Sequence, residues 1–222
     1  DANTISTAEH AFAMMLALHR HIPDAHHHVV SGQWKRSAYE GSQVSGKTLG
    51  IIGFGRIGRA VAQRALAFEM KVLAYDPFVS GTTALDGAVS LVRSVREVLE
   101  RADCVTLHAS LSDDSRHMIG AAELAVMKRG ARLINCARGA LIDEAALAEA
   151  LNNSHLGGAA IDVFDKEPPV GSPLLTAKNV VLTPHLAAST DEAQARGSVD
   201  AVEALLAFLL HGEIRSAVNV TG

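Results

Sequence analysis

One short run constrains this chain more than any other: Gly53-Phe54-Gly55-Arg56-Ile57-Gly58, set between a β-branched apolar segment and an amphipathic one. Residues 48–52 read as a strand and 57–68 as a helix, so the glycines form the turn that joins them. Gly53 permits a tight turn, Gly55 lets the backbone approach an anion, and Gly58 lets helix and strand pack closely. The start of the helix, with its unpaired N–H groups and dipole, then favours a phosphate. Glycines at this spacing also occur in ordinary turns, and here the context separates the two cases. The next strand, 71–75, runs into Asp76-Pro77, which sets a carboxylate where the ribose hydroxyls of a dinucleotide would donate. Asp76 would repel a 2′-phosphate, and no arginine follows closely to hold one. The cofactor expected is therefore NAD rather than NADP.

Apolar strand segments at 48–52, 71–75, 104–107, 132–135, 158–161 and 180–182 alternate with helical segments at 57–68, 95–101, 121–127 and 144–151. That alternation predicts an α/β fold, a doubly wound parallel sheet of the Rossmann NAD-binding type. A chain of 222 residues, 48% hydrophobic and 20% charged, holds enough apolar material for one such domain with an appendage. The net charge of -4 and the scattered cations offer no stripe for a phosphate backbone, so no nucleic-acid partner is expected. The apolar stretch at 11–18 is too short to span a bilayer, and the first residues lack signal-peptide order. No membrane association is expected, and the location expected is cytoplasmic. Cys104 and Cys136 fall in or at the end of strands and read as reduced thiols.

The two ends stand outside the alternation. Ser6-Thr7-Ala8-Glu9 has capping-box spacing and leads into a helix reaching about His19. Ala11, Phe12, Met14, Met15, Leu16 and Leu18 make that helix apolar nearly all round, so either part of it packs on another subunit or it is buried wholly in its own domain. Residues 191–211 read as one long helix, followed by Gly212 and a short tail. Its apolar face of Ala201, Leu205, Phe208 and Leu209, with the first helix, points to a homodimer. His26-His27-His28 reads as a solvated helix or loop, since no carboxylate or cysteine stands at ligand spacing beside it. No metal is expected.

Three groups fall at the C-terminal ends of later strands, where an open α/β sheet holds its ligands. Arg138, in Asn135-Cys136-Ala137-Arg138-Gly139, offers a planar fork that can hold a carboxylate through two hydrogen bonds. Glu167 precedes a proline pair that fixes its loop, and His185 follows the last strand in Thr183-Pro184-His185. Each alone is ambiguous: a loop arginine is usually solvated, an acidic turn usually exposed, a strand-end histidine usually structural. Together they describe hydride transfer on a 2-keto acid, with an arginine for carboxylate and carbonyl, an imidazole to exchange the proton, and a carboxylate to favour the imidazolium. Asp162, one strand end away, is placed to accept from a nicotinamide carboxamide.

These motifs, with Asn3-Thr4-Ile5-Ser6-Thr7-Ala8-Glu9-His10 ahead of them and Leu186-Ala187-Ala188-Ser189-Thr190 behind, resemble the D-isomer-specific 2-hydroxyacid dehydrogenase family over nearly the whole chain. The last run is most similar to its phosphoglycerate-oxidising branch. The resemblance implies that Arg138 binds substrate, that Glu167 and His185 form the acid/base pair, and that Asp76 holds the adenosine ribose. It implies too that Arg56 and Ile57 lie on the pyrophosphate while Ala109, Cys136, Ala137, Asp162 and Ala187 line the nicotinamide end. The chain departs from the family in Ala109-Ser110, where a proline is usual, and at Glu69, where a helix-ending glycine is common. The resemblance further implies a cofactor domain over 1–190 and, over 191–222, a remnant of a substrate domain otherwise missing ahead of Asp1, in a fragment that binds NAD but turns over poorly. The substrate implied is a small 2-hydroxy or 2-keto acid, 3-phosphoglycerate in the first place. A glyoxylate or hydroxypyruvate reductase is the alternative enzyme, and an NAD-binding module without turnover is the alternative of another class.

Overall fold

The computed structural model of the chain describes residues 2–214. Eight strands form one sheet: β1 (Thr48–Ile52), β2 (Lys71–Tyr75), β3 (Thr83–Ala84), β4 (Val89–Leu91), β5 (Cys104–Leu107), β6 (Arg132–Asn135), β7 (Gly158–Ile161) and β8 (Val180–Leu182). Their order is β3-β4-β2-β1-β5-β6-β7-β8, parallel throughout except where β3 meets β4. Parallel strands need helices on both faces and so are buried on both, which is why β5 and β7 are buried at every position. The six expected strands match residue for residue. The extra two are only two and three residues long, in a stretch interrupted by Gly81 and Gly87, too short to show a period.

The helices are α1 (Thr4–His19), α2 (Ile22–Val30), α3 (Arg56–Ala67), α4 (Val95–Arg101), α5 (Ala121–Val126), α6 (Glu144–Asn152) and α7 (Asp191–His211). The apolar faces of α1 and α3 share one core with Ile51, Val72 and Ile134 of the sheet. Residues of α4, α5 and α6, among them Leu99, Leu124 and Leu147, share the other with Val105, Leu133 and Ile161. Ser94, Asp143 and Thr190 cap α4, α6 and α7 by accepting first-turn N–H bonds. Glu69 adopts φ 60 just beyond α3, the left-handed conformation for which glycine is preferred. There its carboxylate accepts the Ser45 hydroxyl at 2.9 Å.

The first helix corrects two expectations. It starts at Thr4, so Ser6 and Glu9 lie inside it and form no capping box. Tertiary partners hold both instead: the Ser6 hydroxyl bonds that of Thr190 at 2.7 Å, and Glu9 pairs with Arg64 at 2.8 Å. Of the two fates open to its apolar surface, burial within its own domain is the one found. Ala8, Ala11, Phe12, Met14, Met15 and Leu18 are all buried, because α1 contacts both α3 and strands β6 to β8. Leu16 is half-buried and Ile5 exposed, so what α1 leaves outside its own domain is small.

The other end behaves oppositely. α7 buries only Ala193 and Ala207, while Val202, Leu205, Leu206, Phe208, Leu209 and Leu210 stand exposed. The tail beyond residue 214 lies outside the described residues. The triple histidine lies on α2, which buries none of its residues. Among the described residues no helix is long and apolar enough to cross a membrane. Cys104 and Cys136 are buried and unpaired.

From β1 the strand order grows toward β2 on one side and toward β5 on the other, so the carboxyl ends of β1 and β5 flank the reversal where α/β sheets open a ligand crevice.

Candidate functional site

The glycine turn occupies that reversal, and its three glycines differ. A Cβ on Gly53, at φ 92, would stand 2.5 Å from the carbonyl carbon of His108 and from the nitrogen of Ala109 at the end of β5. A Cβ on Gly58 would stand 2.2 Å from the carbonyl oxygen of Gly53. Both are demanded by the chain's own packing. At Gly55 a Cβ would meet nothing within 4 Å, and φ is an ordinary -75. Packing among the described residues does not require that glycine; what its absent side chain keeps open is space at the positive end of the α3 dipole, which fits a pyrophosphate. Asp76, after β2, is tied to the turn: its Oδ2 accepts the Phe54 N–H at 2.7 Å and its Oδ1 that of Phe78 at 2.9 Å. Each oxygen keeps a lone pair for a hydroxyl donor.

At the ends of β6 and β7 the chain is pinned by buried polar side chains. Asn135 donates to the Arg138 carbonyl at 2.9 Å and accepts the Ala137 N–H at 3.0 Å, closing the turn from Cys136 to Arg138. Burial and the neighbouring Asp162 carboxylate push the Cys136 thiol well up, so it stays protonated. Asp162 is fully buried. Its Oδ1 accepts the Thr183 hydroxyl and the Leu186 N–H, and its Oδ2 accepts the Ala187 N–H at 2.9 Å. Asp162 thus first serves the chain itself, holding the turn after β8, and Oδ2 carries the fewer of these bonds.

That turn carries His185, whose Nδ1 lies 2.8 Å from Glu167 Oε2. The hydrogen bond from His185, followed by the Phe164 N–H, holds the Glu167 carboxyl below its ordinary value. As a carboxylate Glu167 only accepts, so Nδ1 carries the hydrogen and Nε2 is left to exchange a proton. The pair is half exposed, at 50% and 39%. Arg138 is exposed as well, and its guanidinium donates to the Ala137 carbonyl at 2.6 Å. The three expected catalytic residues thus occupy the ends of adjacent strands β6, β7 and β8. A recess of about 430 Å³ beside the pair, between Phe164, Pro168, Leu175 and Leu182, is lined neither by Arg138 nor by the glycine turn.

Of the other expected cofactor residues, Arg56 and Ile57 open α3, Ala137 sits half-buried in the Asn135 turn, and Ala187 is buried. Among the described residues one group has ligating atoms close enough for a metal, His10, Cys136 and Asp162, and the triple histidine is not part of it. Its thiol is held protonated and its carboxylate is committed to the turn. Two further side chains hold the site. Glu144 accepts the Asp165 N–H at 2.8 Å and the Ser172 hydroxyl at 2.5 Å, bracing the loop of Glu167. His10 reaches Thr183 and Asp162 from α1, both at 3.2 Å.

Residues 12–187 match the family model described as D-isomer specific 2-hydroxyacid dehydrogenase, NAD binding domain. The chain belongs to this family. It is 50% identical over 220 residues to a D-3-phosphoglycerate dehydrogenase of Bacillus subtilis (strain 168), covering 99% of this chain and 42% of that protein. It is 46% identical over 219 residues to one of Methanocaldococcus jannaschii, covering 98% and 41%. This family chain therefore spans well under half the length of those relatives. Among solved structures it is similar to a glyoxylate reductase from Paecilomyes thermophila, with TM-score 0.91, 35% identity and coverage of 98% of this chain and 66% of that one. An NAD-dependent formate dehydrogenase from Staphylococcus aureus in complex with NAD gives TM-score 0.92 at 32% identity, covering 100% and 67%. The resemblance and fold class expected from the motifs are those found, and NAD is the cofactor of the family's domain.

Proposed function

We propose that this chain is the cofactor-binding part of an NAD-dependent D-2-hydroxyacid dehydrogenase acting on 3-phosphoglycerate. The observation that carries the reading is the 2.8 Å contact between His185 Nδ1 and Glu167 Oε2 at a strand end next to that of Arg138. NAD, when bound, takes up or gives the hydride. Gly53, Gly55, Gly58, Arg56 and Ile57 hold its pyrophosphate, Asp76 its adenosine ribose, and Ala109, Cys136, Ala137, Asp162 and Ala187 its nicotinamide end. Arg138 swings from the Ala137 carbonyl to grip the substrate carboxylate with two donors. His185 takes the hydroxyl proton at Nε2 during oxidation and returns it during reduction, and the Glu167 carboxylate steadies the imidazolium between the two. The pair needs no metal for this, and a chelator should leave turnover unchanged.

We divide the chain into an NAD-binding domain at 1–190 and, at 191–222, a helix and tail that belong with a substrate domain. The exposed leucines and Phe208 of α7 support that division. A homodimer is supported by a different surface from α1, namely Ile22, Val29, Val30 and Trp34, all more than half exposed on and after α2. Two buried free thiols accord with a reducing, cytoplasmic setting. Glyoxylate or hydroxypyruvate reduction is the second reading, favoured by the likeness to a glyoxylate reductase.

The test is NAD affinity by calorimetry and turnover on a panel of 2-keto and 2-hydroxy acids, with this chain and with one extended at its N-terminus. Both should bind NAD. Turnover should be roughly 100-fold higher in the extended chain, because misplacement by about 1 Å costs that much. Phosphoglycerate should lead the panel; preference for glyoxylate or hydroxypyruvate would favour the second reading, and no turnover of any substrate would overturn both.

A further inference from the structure

We propose that His10 is a positioning residue for the acid/base pair: from α1 it closes the Asp162–Thr183 cluster that holds the turn carrying His185. The proposal rests on the roles of His185 and Glu167 given above.

The turn needs holding. His185 stands at φ 56, a left-handed conformation that a side chain with a Cβ disfavours and that persists only where surrounding contacts over-determine it. Those contacts converge on one residue. The His185 N–H donates to the Asp162 carbonyl at 2.8 Å, the Leu186 N–H to Asp162 Oδ1 at 2.8 Å and the Ala187 N–H to Oδ2 at 2.9 Å. Asp162 is wholly buried, and a buried carboxylate is tolerable only when its lone pairs are satisfied. Among the described residues its one basic neighbour within ion-pair distance is His10.

The hydrogen-bond inventory fixes what His10 does there. The Thr183 hydroxyl has one proton, and of its two acceptors, Met14 Sδ at 3.5 Å and the Asp162 carboxylate at 2.5 Å, the nearer and charged one takes it. Toward His10 Nε2, 3.2 Å from both oxygens, Thr183 and Asp162 therefore present only lone pairs. Two acceptors facing one ring nitrogen require that nitrogen to carry the hydrogen. His10 is thus the donor that completes the cluster, and it acts on His185 through Asp162. A glutamine, whose terminal amide can present a donor near the same place, should serve where an alanine cannot.

The test is hydrogen exchange at the Leu186 and Ala187 amides, measured on the chain without cofactor, for His10→Ala and His10→Gln. In His10→Ala those amides should exchange about tenfold faster while amides of β1 and β5 keep their rates, the pattern of a local opening. His10→Gln should stay within about threefold of the parent. Thr183→Val, which removes the hydroxyl and keeps the shape, should loosen the same amides and serves as the second variant if His10→Ala does not fold. In the complete enzyme, His10→Ala should lower kcat about tenfold and leave KM for NAD within about twofold, as expected of a loosened catalytic geometry. Unchanged exchange in both His10→Ala and Thr183→Val, equal loosening by alanine and glutamine, or faster exchange with unchanged kcat would each overturn the positioning role. Failure of the underlying function reading shows elsewhere, as unchanged turnover in His185→Ala.

Discussion

The two halves of the crevice are built from different material. The half proposed to hold the nucleotide, at β1 and β2, is mostly backbone: three glycines, the start of α3, and one carboxylate already bonded to the turn it serves. Its geometry is fixed by close approaches of 2.2 and 2.5 Å to a Cβ that glycine lacks. The half proposed as catalytic, at β6 to β8, is made of long side chains on loops, half exposed and in Arg138's case bonded to the Ala137 carbonyl. A site of the first kind is complete as it stands. A site of the second kind gains its working geometry only when something covers it and excludes water.

The largest expected effect breaks the halves apart. In a complete enzyme, His185→Ala should lose at least about 100-fold in turnover while NAD affinity stays within about twofold. Arg138→Lys, which replaces a two-pronged grip by a point charge, should lose about tenfold or more. Retained turnover in either variant removes that residue from the assignment.

Within the nucleotide half the glycines offer a sharper contrast. Gly58→Ala forces a Cβ against the Gly53 carbonyl and should destabilise the fold by about 1–3 kcal/mol, as overpacking does. Gly55→Ala meets no atom of the described residues, so it should cost less than Gly58→Ala, at most about 1 kcal/mol for the poorer cap that alanine gives α3. Its main effect should appear in NAD affinity, a loss of about tenfold for one displaced anion contact. Thermal melts with calorimetric titration decide this, and equal effects of the two variants on stability would dissolve the contrast.

The smallest effect concerns the half-exposed pair. Because His185 holds the Glu167 carboxyl below its ordinary value of 4.5, the pair stabilises the folded chain above that pH, and the contribution is lost as pH falls through the lowered folded value. Solvent screening limits it to at most about 0.5 kcal/mol. Glu167→Gln should therefore melt slightly below the parent at about pH 7 and with it at about pH 3. A gap that persists in acid would mean the two residues are linked by packing rather than charge.

The same division explains what could be read from residues alone. Strands such as 104–107 and 158–161 announce themselves because each is a continuous apolar run, and the glycine turn because its spacing follows a strand and opens a helix. Local pattern misled where a distant partner prevailed: Ser6 and Glu9 have capping spacing, yet Thr190 and Arg64 claim them. Asn135, Glu144 and His10 carry no signal of their roles in the sequence for a related reason. Each works by holding a loop rather than by its own chemistry, and His10 does so across 173 positions of sequence, a separation that no local spacing can register.

That reach of α1 also sets an order of events in time. α1 is synthesised ahead of β6, β7 and β8, on which it docks, and its hydrogen bonds close loops of 173 and 184 positions. Until β8 has emerged, Phe12, Met14, Met15 and Leu18 have no complete core to enter, and such long closures are slow to form. The nascent chain must therefore carry an unsatisfied apolar helix until those strands emerge, which makes α1 a natural point of chaperone contact and of aggregation during synthesis.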